Sequence, residues 1–241
     1  MKRIFLTSSP NGPRESSYKT LDQRNGFTDR LKSVWRSNSK VLLISSDPGN
    51  HELSIGMKLH YTEAFNASGL TISQFDIWDY TQKPEVFDYD CIILSGGPTF
   101  IQGMFFEEIG LREKLLYYDG IIIGISAGSM NSAATVYAQP EFPGDTTDPD
   151  YRRFYPGLGL TETNILPHYQ EEKDSTLDGK RVFEDITYPD SYGKCFYAFV
   201  DGTYLYIDED GETIFGEAYL ISDGKIRKLS DEGKSIKKGG Q

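Results

Sequence analysis

The sequence predicts an α/β fold: a three-layer α/β/α sandwich on a mostly parallel sheet, with a small antiparallel meander at its C-terminal end. Three observations predict it. Short runs of continuous Val, Ile and Leu recur along the first half of the chain, as expected of strands buried on both faces. Helix-compatible stretches lie between them. After about residue 190 the runs become shorter and are punctuated by Asp-Gly pairs, a hairpin signal.

In chain order, Ile4 to Thr7 is the first strand candidate and Lys40 to Ser46 the second. Leu70 to Ile77 is more polar, and Cys91 to Ser95 and Ile121 to Ile125 complete the set. Phe27 to Trp35 carries apolar residues at helical spacing. His51 to Ser68 follows Asn50, a good N-cap residue, and Glu107 to Tyr118 presents Ile109, Leu111, Leu115 and Leu116. Beyond residue 190, Cys195 to Val200, Tyr204 to Ile207, Thr213 to Phe215, Ala218 to Ile221 and Lys225 to Leu229 read as meander strands, with turns at Asp201-Gly202, Asp210-Gly211 and Asp223-Gly224. No repeat or low-complexity linker divides residues 1 to 241, which are expected to form a single domain.

Composition narrows the function classes. A formal net charge of -11 argues against nucleic acid or an anionic membrane as partner, because phosphate binding requires a basic patch. Two distant cysteines, Cys91 and Cys195, make neither a disulfide framework nor a zinc site, and no metal or organic cofactor is expected. The N-terminal apolar run is too short for a signal-peptide core and no segment is long enough to span a bilayer, so a cytoplasmic location is expected.

The most informative stretch is Ile121-Ile-Ile-Gly-Ile-Ser126-Ala-Gly-Ser-Met130. An apolar strand runs into Gly-x-Ser-x-Gly, with a helix-compatible sequence after it, the setting of a nucleophile elbow. The turn is tight, so the positions two before and two after the serine must be small, as Gly124 and Gly128 are. The N–H of Ala127 would point at a developing oxyanion. A serine hydroxyl needs a general base, and there are three histidines. His51 and His60 fall on or beside one predicted helix, where solvated or capping roles are expected. His168 lies at the end of a short apolar strand, where functional groups of open parallel sheets gather. For the orienting carboxylate, Asp201 at the end of Phe196-Tyr-Ala-Phe-Val and Glu141 are both candidates. A second glycine turn, Ser95-Gly96-Gly97-Pro98-Thr99-Phe100, offers the Gly97 N–H as another oxyanion donor and Gly96, Pro98 and Thr99 as substrate contacts. The acidic segment from Pro140 to Asp150, with Tyr151 and Tyr155, is expected to form a loop over the site.

Taken together, Ser-Gly-Gly-Pro-Thr-Phe at 95–100, Gly-Ile-Ser-Ala-Gly-Ser at 124–129, Gly-Leu-Gly-Leu at 157–160 and Pro-His-Tyr at 167–169 resemble the S51 peptidase family of aspartyl dipeptidases and cyanophycinases. The resemblance implies a class I glutamine-amidotransferase-like fold with serine in place of cysteine. It implies Ser126 as nucleophile, His168 as base, and an acid where Asp201 stands in place of the usual glutamate. The implied substrate is a short peptide, hydrolysed in dipeptidase fashion. Cyanophycinase-like or esterase activity, or a non-catalytic binding protein, are the alternatives. The arginine with which aspartyl dipeptidases hold an acidic side chain is matched by Asp178, so Asp-X specificity does not carry over. Arg152, Arg153, Lys180 and Arg181 are the nearby cations. A homodimer is the assembly that analogy with such folds suggests.

Overall fold

The computed structural model describes residues 2–13 and 19–238. Its order begins β1 (Arg3–Thr7), α1 (Phe27–Val34), β2 (Ser39–Ile44), α2 (His51–Ala67), β3 (Ile72–Trp78) and β4 (Cys91–Leu94). There follow α3 (Thr99–Glu108), α4 (Leu111–Tyr117), β5 (Ile121–Ile125), α5 (Ala127–Met130), β6 (Thr135–Tyr137), β7 (Phe154–Pro156) and β8 (Asn164–Leu166). The last part holds α6 (Tyr169–Glu172), β9 (Thr176–Leu177), β10 (Lys180–Arg181), a π-turn segment (Val182–Thr187), α7 (Tyr188–Asp190) and β11 (Cys195–Phe199). It ends with β12 (Tyr204–Asp208), β13 (Gly211–Phe215), β14 (Ala218–Ser222), β15 (Lys225–Ser230) and β16 (Ser235–Lys237).

The main sheet has eight strands in the order β16-β13-β12-β1-β5-β4-β2-β3. The five from β1 to β3 are mutually parallel, and β12, β13 and β16 extend the sheet antiparallel. Successive strand residues point to opposite faces, so each central strand feeds two cores. Ile92 and Leu94 pack on one side with Phe105, Phe106, Leu111 and Leu115 of α3 and α4. Cys91 and Ile93 pack on the other with Phe27, Leu31, Tyr61 and Phe65 of α1 and α2. This double burial is why these strands are continuously apolar.

Three local expectations are corrected. The stretch from 107 to 118 is not one helix: Gly110, at φ 60°, separates α3 from α4, and α3 starts at Thr99, directly after the Gly-Gly-Pro turn. The helix after Ser126 stops at Met130, because Thr135 to Tyr137 leave to pair with β7. The C-terminal strands do not make one meander. β12 and β13 join the main sheet, whereas β14 and β15 join a second sheet of order β15-β14-β11-β8. Asp210-Gly211 and Asp223-Gly224 sit at hairpins, but Asp201-Gly202 carries the chain from one sheet to the other.

The second sheet aims two polar residues at one place. β8 and β11 run parallel with Leu166 opposite Ala198, so the chain leaves both strands at the same end, toward His168 and Asp201. Phe196 anchors this sheet by stacking on Tyr137, ring centroids 4.1 Å apart. Both rings are buried. Phe196→Ala is expected to cost about 3–5 kcal/mol, seen as a lower midpoint in urea at unchanged slope.

Candidate active site

Two adjoining strands of the main sheet determine where Ser126 stands. In the β1–β5 pair Thr7 faces Ile125, so the next residues, Ser8 and Ser126, leave the sheet side by side. In the β4–β5 pair Leu94 faces Gly124, which brings Gly96 level with Ser126 two positions on. The Ser126 N–H donates to Thr7 O at 3.0 Å, and Ser126 O accepts from the N–H groups of Ser129 and Met130. Its backbone is forced to φ 51°, ψ -111°. Gly128 is obligatory here, because a Cβ would collide with Leu94 O. Gly97 is equally constrained: a Cβ would strike the Ser46 hydroxyl, which donates to Gly96 O at 2.6 Å.

His168 comes off β8 in a left-handed conformation, φ 57°. Such backbone strain costs on the order of 1–3 kcal/mol per residue and persists only where surrounding structure enforces it. Of five described non-glycine residues with positive φ, two are Ser126 and His168, so strain gathers at this point.

The geometry joins three of the residues singled out in the sequence. Ser126 Oγ lies 2.9 Å from His168 Nε2, and His168 Nδ1 lies 2.8 Å from Asp201 Oδ1. A carboxylate can only accept, so Nδ1 carries the proton and Nε2 accepts from the serine hydroxyl. The Asp201 side chain is 1% exposed and that of His168 22%, so a ligand can reach the imidazole but not the carboxylate. Glu141, the other candidate partner, makes no contact with His168. Its carboxylate accepts from the Thr99 N–H at 3.0 Å and from the Thr99 hydroxyl.

Two residues that sequence reasoning did not single out complete the cluster. The Ser8 hydroxyl donates to Asp201 Oδ1 at 2.7 Å and accepts from the His168 N–H at 2.8 Å. Gln170 donates through Nε2 to Asp201 Oδ2 at 2.8 Å, and its Oε1 accepts from the Asp201 N–H at 3.0 Å. Ser8 had a sequence signal, its place just past a strand end, and Gln170 stands two residues after His168. Burial pushes the Asp201 carboxyl up, but the hydrogen bond and charge of His168 and the hydrogen bonds of Ser8 and Gln170 outweigh it. The net result lies below the ordinary carboxylate range.

Gly97, Thr99, Ser126, Glu141 and His168 line one cleft of about 310 Å³, together with Glu172, Ser175 and Leu177. Gly96 stands beside Ser126, and Ala127 begins α5. Pro98 instead caps α3 and faces a neighbouring depression with Phe100 and Phe142. Thr99 commits its N–H and hydroxyl to Glu141. Of the 140–150 loop only Pro140 and Glu141 line the cleft, while Phe142, Asp145, Asp148 and Asp150 border the neighbouring depression. Asp145 accepts from the N–H groups of Glu141 and Phe142, and Asp178 from those of Gly144 and Thr146. His51 pairs with Asp79 and His60 with Asn11, both outside the cleft. No group of three or more His, Cys, Asp or Glu among the described residues could hold a metal ion. No helix among them is long and apolar enough to cross a membrane.

The family model for Peptidase family S51 matches residues 54–215, more than half of the chain. The protein belongs to peptidase family S51. This S51 chain is thereby a peptidase, a hydrolase of peptide bonds. Its fold is similar to that of a peptidase from an acI-B1 Actinobacterium seen in a crystal structure, with a TM-score of 0.64 and 15% identity. That match covers 98% of this chain and 97% of the other. The α/β architecture with a mostly parallel main sheet is the one the sequence predicts. No curated protein matches the S51 chain.

The hydrogen bonds on Asp201 make its removal measurable in this S51 peptidase. The Asp201 value is depressed in the folded state, so its contribution to stability is present above the unfolded value of about 3.9 and is lost as pH falls through the folded value. Melting curves recorded from pH 7 to pH 3 should show a steeper acid decline for wild type than for Asp201→Asn. Ser8→Ala and Gln170→Ala each leave the imidazole less well held. Both should lower kcat by roughly 10- to 100-fold with little change in KM, checked by steady-state kinetics beside a thermal melt.

Proposed function

We propose that the protein is a serine peptidase of short peptides. The observation that carries this is the continuous hydrogen-bond chain Ser126–His168–Asp201, at 2.9 and 2.8 Å, opening onto the cleft. Ser126 attacks the scissile carbonyl carbon while His168 Nε2 takes the hydroxyl proton. Asp201 keeps Nδ1 protonated and stabilises the imidazolium that forms. The N–H groups of Gly97 and Ala127 receive the negative charge on the carbonyl oxygen. His168 then gives its proton to the leaving amine, and the C–N bond breaks. Water, activated by the same imidazole, cleaves the acyl ester and restores Ser126.

Substrate size is read from the cleft. At about 310 Å³ it lies at the lower end of ordinary small-ligand sites, roughly 300–1,000 Å³. Pro140 and Glu141, at the start of the loop pinned by Asp145 and Asp178, line it, which suits a dipeptide better than a long chain.

The test is release of amino acids from a panel of dipeptides by wild type and by Ser126→Ala. Wild type should turn over at least one member, and Ser126→Ala should lose at least ~10³-fold in kcat. A fluorophosphonate should label Ser126 in the wild-type protein. Absence of both turnover and labelling would overturn the serine-peptidase reading.

A further inference from the structure

We propose that the cleft selects peptides carrying a positive charge on the residue that supplies the scissile carbonyl, with Glu141 as the specificity-determining carboxylate. The proposal rests on Ser126 being the attacking group. It starts from the charges around that serine. Glu141 and Glu172 both line the cleft, and neither lysine nor arginine is among its lining residues. Of the cations in the adjoining segments, Arg152 lines a neighbouring depression that Glu141 also borders, and three others are engaged elsewhere. Arg153 pairs with Asp190 at 3.0 Å and Arg181 with Asp185 at 3.0 Å, while Lys180 Nζ donates to Thr146 O. Asp178, at the position where the resemblance would place an acid-binding arginine, turns its carboxylate to the backbone of the 144–146 loop. An acidic side chain entering this cleft meets two like charges and no lysine or arginine in the lining.

Glu141 is suited to the opposite charge. It faces the cleft yet has only neutral donors, the Thr99 N–H and hydroxyl, on its carboxylate. The residue is open to solvent along the groove, while the bulk of protein around it still desolvates the carboxyl. That desolvation, together with the charges of Asp145 and Glu172, raises its pKa against the pull of the Thr99 hydrogen bonds. A carboxylate in that position gains most from a cation, which relieves both the desolvation and the repulsion from Glu172. A second, independent feature lies in the same lining: the Ser175 hydroxyl is sealed from solvent and has no hydrogen-bond partner among the described residues. A buried hydroxyl without a partner in the free protein is left unsatisfied beside the cleft, and a small rotation of Ser175 would offer it to a ligand.

The recognised cation is an alkylammonium or guanidinium, and it has two sources: a basic side chain or a free α-amino group. Binding to Ser126→Ala protein, measured by calorimetry, separates them with Lys-Ala, Leu-Ala, their N-acetyl derivatives and N-acetyl-Asp-Ala. Lys-Ala, which carries both cations, should bind about tenfold or more tightly than N-acetyl-Leu-Ala, and N-acetyl-Asp-Ala more weakly. A preference that survives acetylation of Lys-Ala assigns the side chain, and one that does not assigns the α-amino group. Adding Glu141→Gln, which keeps an acceptor for Thr99, should abolish the preference while N-acetyl-Leu-Ala binds as before. Should that double variant not fold, Glu172→Gln and increasing salt must both shrink the preference. Equal binding of all five peptides, or tighter binding of N-acetyl-Asp-Ala, overturns the proposal. Failure of wild type both to cleave and to be labelled overturns the serine-peptidase reading instead, because charge selection is read on protein that needs no turnover.

Discussion

The site depends on register. Parallel strands held in step deliver equivalent residues to one edge of the sheet, and here the edge is a row of small groups. Ile44 faces Leu94, Leu94 faces Gly124, and Ile125 faces Thr7. Continued past the strand ends, this register aligns Ser46, Gly96, Ser126 and Ser8. A one-residue slip would send every side chain of a strand to the opposite face and bury the wrong set. The two apolar cores therefore hold the row in place. The tight turn after β5 then lifts Ser126 out of the row, and Gly128 lets that turn lie against Leu94 O.

The second sheet solves a different problem. An imidazole must be held against both a hydroxyl and a carboxylate, and those two come from different sheets. β8 and β11 are parallel neighbours, so His168 and the chain leading to Asp201 leave together. Ser8, from the main sheet, accepts from the His168 backbone and donates to the Asp201 side chain. One hydroxyl thus links the two sheets at the point where their groups meet. Asp201 is buried without becoming neutral because three side chains donate to it. The charge of the carboxylate is retained by local hydrogen bonding, not by solvent.

The cleft wall is likewise fixed by hydrogen bonds to its loops. The 140–150 segment is rich in backbone groups that no helix or strand satisfies, and Asp145 and Asp178 accept from them. Tyr151 adds a hydrogen bond to Gln139 O at 2.7 Å, and Tyr155 one to Asn131 Oδ1 at 2.9 Å. A loop held at this many points presents Glu141 to the cleft in a defined position. The acidic composition of the chain is therefore not spread over the surface alone. Part of it fastens this wall and part of it faces the ligand.

Much of this architecture was written in the sequence. Among the five parallel strands, β2, β4 and β5 are legible because burial on both faces demands continuous apolar runs, whereas β3, at the sheet edge, is more polar. The Ser126 turn is legible because tight turns demand small residues at fixed offsets. His168 is legible because three histidines leave few choices and it follows a strand. What the sequence left open was partnership: Asp201 reads as the start of an Asp-Gly turn, and Glu141 stood as a second candidate to orient the imidazole. Only the tertiary structure joined Asp201 to His168, gave Glu141 to Thr99 and brought Ser8 and Gln170 into the cluster. It also divided the C-terminal strands between two sheets. The physical reason is common to all of these. Strand and turn preferences act between near neighbours in the chain. A contact between residues 8 and 201, or the choice of which sheet edge accepts β12, is decided by the packing of distant segments.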